Sequence, residues 1–257
     1  MFVLLSPAKK LHEPPALPGP RTEAALMAHT SSLIRTARAR KVGELRQLMD
    51  ISEDLATLNH GRFQRWTPEH TVENSRQAIL SFAGDVYIGL DALTLGEDDL
   101  AWAQDHVGIL SGLYGLLRPL DAMQPYRLEM GTRMKTRRGG NLYDFWSDHI
   151  GKEVLSRAGE TPIVNLASNE YFKSVAKQLK SHPVITPAFQ DIKNGKARTL
   201  FFFTKRARGA MTRWIIENRV TEPERLQSCD VMGYRFVPDA STETKWVFQR
   251  QQPPPPK

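Results

Sequence analysis

HVGILSGLYGLLRPLDAMQP, residues 106–125, is an apolar run that passes through Ser111-Gly112-Leu113-Tyr114-Gly115 into a second apolar run bearing Arg118. Residues 97–110 place apolar side chains three and four apart, which predicts a helix leading into the glycines. Two glycines three residues apart permit a tight reversal with unobstructed backbone amides, a geometry that can grip a phosphate oxygen. The stretch therefore reads as a helix-hairpin-helix-like clamp in which Gly112 and Gly115 form the turn and Arg118 supplies charge. The alternative is a C-capping glycine followed by ordinary core packing of Leu113, Leu116 and Leu117.

Working outward, helical and strand signals alternate. Helical spacing recurs over residues 22–40, 42–49, 52–63 and 73–82, with Ser52 as an N-cap. The acidic triplet Glu97, Asp98 and Asp99 suits a helix N-terminus. Short runs rich in β-branched and aromatic residues predict strands at 2–5, 85–88, 162–166, 184–187, 198–204, 233–237 and 245–249. Thr221 and Glu224 have the spacing of a capping box before the last two strands. These signals predict an α/β chain folded as one compact domain over residues 1–250, a mixed sheet flanked by helices. The first three strands are far enough apart to run parallel, and the later ones close enough to pair antiparallel. The proline-rich end, residues 251–257, reads as a disordered tail.

Charge is unevenly distributed. The 257 residues hold 35 basic and 28 acidic side chains, a net charge of +7 that favours polyanionic partners. Residues 50–105 carry 3 basic against 11 acidic groups, whereas 106–140 carry 6 against 2 and 171–220 carry 11 against 2. Blocks of opposite sign imply a polarised surface, with an anionic ligand drawn to the face that the two basic blocks share. Residues 205–219, KRARGAMTRWIIENR, read as a helix with Ala207, Met211, Trp214 and Ile215 on a docked arc and Lys205, Arg206, Arg208, Arg213 and Arg219 around the rest. A solvated basic helix is the plainer account of that pattern.

Several chemistries lose their usual signatures. Cys229 is the single cysteine, which excludes an intramolecular disulfide and a multi-thiolate metal site. No GxxxxGK[ST], GxGxxG, HExxH, GxSxG or CxxC occurs, the seven histidines are scattered, and no ExxH pair is present, so no metal and no cofactor are expected. The apolar start Phe2–Leu5 is followed at once by Ser6 and Pro7, too short for a spanning or signal segment, so the chain reads as cytoplasmic without a membrane partner. Two clusters resemble site loops. SPAK, residues 6–9, leaves the first strand at its carboxyl end, and NLASNEYFKS, residues 165–174, presents Glu170 and Lys173 at a helix start. Glu170 and Lys173 are spaced for an ion pair, and a lysine in such a cleft could instead be a nucleophile or a phosphate contact.

SPAK, LSGLYGLLRPLDAMQPYRLEMG at 110–131, LYDFW at 142–146, NLASNEYFKSV at 165–175 and the KRARGAMTRWIIENR helix together resemble the YaaA family of peroxide stress resistance proteins, from Met1 to about Gln249. The resemblance implies a bacterial cytoplasmic protein that limits free intracellular iron and oxidative DNA damage. It also implies a compact α/β fold with a positively charged cleft and a helix-hairpin-helix element, binding double-stranded or distorted DNA. Gly112, Gly115 and Arg118 match its clamp. By charge and placement, Lys9, Arg127, Lys173, Lys205, Arg208 and Arg213 are the expected phosphate contacts. The leading expectation is a non-enzymatic, monomeric DNA-binding protein of the peroxide stress response. The alternative is a lyase- or glycosylase-like enzyme on nucleic acid or a nucleotide, with Lys9, Lys173 and Glu170 as catalytic candidates.

Overall fold

A computed structural model describes residues 1–253. β1 (Phe2–Leu5) is buried at every position. α1 (Met27–Arg38), α2 (Val42–Met49) and α3 (Glu53–Arg65) follow, the last capped by Ser52, whose hydroxyl accepts from the Leu55 amide at 3.4 Å. β2 (Arg76–Gln77), α4 (Ala78–Ser81) and α5 (Asp85–Leu90) lead to α6 (Glu97–His106), whose first turn carries the acidic triplet. β3 (Val107–Ser111), β4 (Gly115–Leu117) and β5 (Ala122–Met123) come next, then α7 (Leu142–Trp146), α8 (His149–Ala158), β6 (Ile163–Asn165) and α9 (Asn169–Phe172). The chain continues through β7 (Val184–Lys193), β8 (Lys196–Arg198), α10 (Phe201–Glu217), β9 (Arg235–Phe236) and β10 (Lys245–Gln251).

The fold is mixed α/β, with one 8-stranded sheet in the order β4-β3-β1-β6-β7-β10-β9, β8 pairing with β7, and a separate β2–β5 ribbon. β3, β1, β6, β7 and β10 run parallel, while β4, β8 and β9 pair antiparallel with β3, β7 and β10. The central strands β1, β3 and β6 are short and buried at every position, as strands of a parallel sheet covered on both faces are. β3 and β6 flank β1 on opposite sides, so the chain reverses its direction along the sheet beside β1. In open α/β sheets such a reversal leaves a crevice at the carboxyl ends of the strands.

Five local expectations fail. Residues 73–82 hold β2 and the single helical turn α4 rather than one helix, and Glu222, not Thr221, stands at the N-cap of the 3-10 helix Pro223–Ser228, with no side-chain cap. Residues 107–117 do not continue the helix of α6; they form a fully buried β-hairpin, with Ile109 opposite Leu117 and Ser111 opposite Gly115. A run of Val, Ile and Leu in the core meets helix and strand patterning equally well, and pairing with β1 decides for strand. There is accordingly no helix-hairpin-helix at this position. Residues 85–88, expected as a strand, lie in α5, and residues 201–204, also expected as strand, begin α10. Packing between those two helices overrides the β-branched and aromatic preferences, because Gly89 and Gly209 let the backbones touch. A Cβ on Gly209 would collide with the Val86 carbonyl oxygen, and one on Gly89 with that of Arg206. At the carboxyl end, Gln251 still belongs to β10 and the Gln252 amide donates to the Ile192 carbonyl at 2.9 Å, so the ordered chain runs past 250. The rest of the tail, residues 254–257, lies outside the described residues.

Candidate phosphate-binding cleft

The loops leaving β1 and β6 are tied together at the crevice. Ser6 sits just past β1, and its hydroxyl accepts from the Ser168 amide at 2.8 Å and lies 3.3 Å from the Ser168 hydroxyl. The Tyr87 hydroxyl on α5 donates to the Ser6 carbonyl at 3.1 Å, fixing the same loop from the other side. Burial pushes the phenols of Tyr87, Tyr126 and Tyr171 above their ordinary range, so all three stay protonated near neutrality, and of them Tyr126 and Tyr171 line the site.

Above these anchors opens a cavity of about 460 Å³. Its wall includes Lys9, Lys10, Arg127, Lys205 and Arg208, against the carboxylates of Asp85, Glu129 and Glu170. The five cations come from three distant parts of the chain: the loop after β1, residue 127, and one face of α10. Glu129 is held between two of them, its oxygens 2.8 Å from Lys9 Nζ and 3.3 Å from Arg127 Nη2. Glu170 does not pair with Lys173; it accepts from the Gly131 amide at 2.8 Å.

Arg208 differs from the other cations. It is largely buried at the cavity wall, makes no ion pair, and its Nε has no hydrogen-bond partner among the described residues. Burial lowers its pKa from the ordinary arginine value, yet a guanidinium stays charged throughout the physiological range. The Nε of Arg127 is likewise buried without a partner. A desolvated charged donor with nothing to bind is unfavourable unless a ligand meets it, and the ligand that matches this fork is an oxyanion such as phosphate or carboxylate.

Of the residues singled out by sequence, Lys9, Arg127, Lys205, Arg208 and Glu170 line this cavity. Lys173 stands just outside, its Nζ 4.9 Å over the Tyr143 ring, and the Tyr143 hydroxyl donates to the Glu170 carbonyl at 2.9 Å. Arg213 is turned elsewhere: its Nη1 donates to the Leu90 and Asp91 carbonyls at 3.1 and 2.8 Å and to Thr94 Oγ1 at 2.8 Å, while Nε meets Glu217. Arg118 pairs with the buried Asp121 at 3.3 Å. Gly112 and Gly115 lie in the core, with the Gly112 carbonyl accepting from Trp146 Nε1 at 3.0 Å and Gly115 packed on the Trp146 ring. The glycine turn therefore has no surface on which to receive a phosphate. Asp85, Glu129 and the Ser6–Ser168 tie were not singled out as a set. The resemblance motifs around residues 6, 129 and 168 contained a signal for Glu129 and the serine tie, and none covered Asp85.

Among the described residues no group of three or more His, Cys, Asp or Glu side chains is placed to hold a metal ion, and no helix is long and apolar enough to cross a membrane.

Comparison with known proteins places these features in a family. The family described as "Peroxide stress protein YaaA" matches residues 1–240. Two curated relatives, each named "UPF0246 protein" and coming from Caulobacter vibrioides strains NA1000 / CB15N and ATCC 19089 / CIP 103742 / CB 15, are 49% identical over 258 residues, covering 98% of this chain and 100% of each relative. Five-sixths or more of the chain, cleft and hairpin included, lies within these matches, and the chain belongs to the YaaA family of peroxide stress proteins.

Proposed function

We propose that the protein acts in the bacterial cytoplasm as a monomer that binds DNA through backbone phosphates at the cationic cleft, and that this binding serves the peroxide response by limiting free iron and oxidative DNA damage. The observation that carries the reading is Arg208, a partly buried guanidinium whose buried Nε has no hydrogen-bond partner among the described residues, in a cavity lined by four further cations. Lys205, one turn before it on α10, also lacks an ion pair among the described residues and faces the same cavity. Lys9 and Arg127 complete the positive rim, while Arg118, Arg213 and the glycine turn are left out of the contact set. Contacts of this kind recognise charge and spacing rather than base identity, so binding is weakly sequence-specific and salt-dependent.

Fluorescence anisotropy with labelled DNA, titrated from low to moderate salt, tests this. Lys205→Ala and Arg208→Ala each weaken binding about 10-fold and flatten the slope of log affinity against log salt by about 0.9 per phosphate contact removed. Unchanged affinity in both variants, or binding indifferent to salt, overturns the reading. A second reading is favoured by one observation, Lys9 Nζ 2.8 Å from Glu129 in the cleft, which is the pairing of amine and carboxylate that a lyase uses. Borohydride trapping on abasic DNA separates the two: a covalent adduct lost in Lys9→Ala makes the protein an enzyme, and no adduct leaves it a binding protein.

A further inference from the structure

The start of α10 presents an aromatic surface that the phosphate contacts do not account for. Phe201 is 79% exposed and Phe202 47% exposed, the most exposed and one of the next most exposed large apolar side chains of the molecule. Neither belongs to the core, and the Arg206 guanidinium lies 4.2 Å over the Phe202 ring. Around them the chain is wholly basic: from residue 192 to 216 there is no carboxylate, and Lys193, Lys196 and Arg198 on the β7–β8 hairpin have no ion pair among the described residues. Exposed phenyl rings inside an unneutralised cationic patch are unfavourable for a protein that only needs to stay soluble, whereas the combination matches a strand of nucleic acid, which offers flat base faces and phosphates together.

The helical repeat gives the arrangement a register. Phe201, Lys205 and Arg208 stand at i, i+4 and i+7, so they share one face of α10, and that face is the one that lines the cleft at Lys205 and Arg208. At 1.5 Å per residue, Phe201 stands about 6 Å along the axis from Lys205 and about 10 Å from Arg208. A strand whose phosphates sit on the two cations brings its next base to the exposed ring. Bases inside an intact duplex are stacked on one another and have no free face to offer, while an unpaired base has one.

We propose that Phe201, with Phe202 beside it, is a stacking platform for an unpaired DNA base, so that the cleft favours single-stranded or opened DNA over intact duplex. The inference rests on the phosphate-binding reading above and adds base stacking to it.

The test compares one labelled 20-nucleotide single strand and its duplex, measured by anisotropy against wild type, Phe201→Ala, Phe201→Leu and Phe201→Trp. Phe201→Ala and Phe201→Leu lose about 5- to 100-fold in affinity for the single strand and less than about twofold for the duplex, whereas Phe201→Trp retains single-strand binding. Because the ring is exposed, thermal melting of the variants stays at the wild-type value. Equal losses on both DNAs, no loss on either, or Phe201→Leu binding like wild type overturns the stacking platform while leaving phosphate binding in place. A wild-type dimer that Phe201→Ala converts to monomer without change in DNA affinity overturns it too, assigning the patch to self-association. Failure of the wild-type protein to bind either DNA at low salt removes the phosphate reading and this inference together.

Discussion

The β3–β4 hairpin and α10 both carry the local marks of a phosphate site, glycines and an arginine in one, a run of cations in the other, and the fold uses them in opposite ways. In the hairpin the side chains beside the turn and the Gly112 carbonyl find partners inside the molecule. The Ser111 hydroxyl accepts from the Tyr114 amide and meets Tyr126 Oη, Trp146 donates to the Gly112 carbonyl, and Arg118 pairs with Asp121. Along α10 the cations of the cleft face, Lys205 and Arg208, make no ion pair among the described residues. Unsatisfied polar groups, more than the residue types that make up a motif, thus mark the proposed binding surface, and saturated ones mark structure.

The largest expected effect tests the structural side of this contrast. A methyl group at Gly112 would overlap the Leu128 carbonyl oxygen and crowd the Glu129 backbone, so the 112–115 turn and the segment 128–129 beside it cannot both keep their places. Gly112→Ala is expected to destabilise the protein by about 3 kcal/mol through overpacking, read as a lowered midpoint in urea unfolding. The DNA affinity of the fraction that remains folded stays at the wild-type value. A soluble, fully stable Gly112→Ala protein with impaired DNA binding would restore the turn as a phosphate clamp.

How much of this was legible in the sequence follows the same division. Patterns whose meaning is local came through: residues 42–49 form α2, Ser52 caps α3, the acidic triplet opens α6, and β1, β6 and β10 fall where β-branched and aromatic runs predict them. Readings that depended on a distant neighbour did not. The run from Asp85 looks like a strand until α10 packs against it through Gly89 and Gly209, and the apolar 107–110 run is helix or strand according to whether β1 is at its side. The charge blocks drew attention to Arg127, Lys205 and Arg208, which line one cavity. Composition has no means of showing that Arg118 and Arg213, in the same blocks, are engaged by Asp121 and by the carbonyls of Leu90 and Asp91.

A sharper test on the α10 side turns on the sign of a stability change. Arg208 resembles Arg250 in burial but not in company. Arg250 Nε donates to the buried Asp191 at 2.7 Å, Nη1 donates to the Met232 carbonyl, and the guanidinium lies over the Tyr234 and Phe203 rings at 4.3 and 4.6 Å. Removing a charge so well compensated leaves the buried Asp191 carboxylate with only the Tyr234 hydroxyl, which donates to it at 2.8 Å. Removing Arg208 leaves nothing behind and ends the desolvation of an unpaired cation. Arg208→Met is therefore expected to raise stability by about 1 kcal/mol in urea unfolding while weakening DNA binding about 10-fold. A drop in stability with binding intact would place Arg208 with Arg250 as a structural residue, and the contrast between the two regions would lose its main support.

The smallest expected effect is a pH dependence seated at the hairpin turn. The Tyr114 hydroxyl accepts from Trp66 Nε1 at 3.0 Å and from the Gln124 amide at 2.9 Å, which leaves its single proton for His70 Nε2 at 3.0 Å. His70 must then carry its own proton on Nδ1, donated to the Pro68 carbonyl at 3.0 Å. In that tautomer the ring is fully matched as a neutral base, and a second proton on Nε2 would face an oxygen whose lone pairs are already taken. Burial, the largest influence, lowers the His70 pKa from the ordinary histidine value. Between that lowered value and about 6.5 the unfolded chain binds the proton that the folded chain refuses, so stability is full above about pH 6.5 and declines as the pH falls through this window. His29, lowered first by burial and then by His149 and Arg138, adds to the slope in the same direction. His70→Gln is expected to remove only part of the fall in melting temperature between pH 7.5 and 5.5, about 2 °C, with His29→Gln removing a further part and the buried Met1 amine, also lowered from its ordinary value, keeping a remainder. If His70→Gln leaves the acid slope unchanged, the turn is not saturated in the way its hydrogen bonds require. A free lone pair on Tyr114 would then give the hairpin the open polar group that its burial among Trp66, His70 and Gln124 denies it.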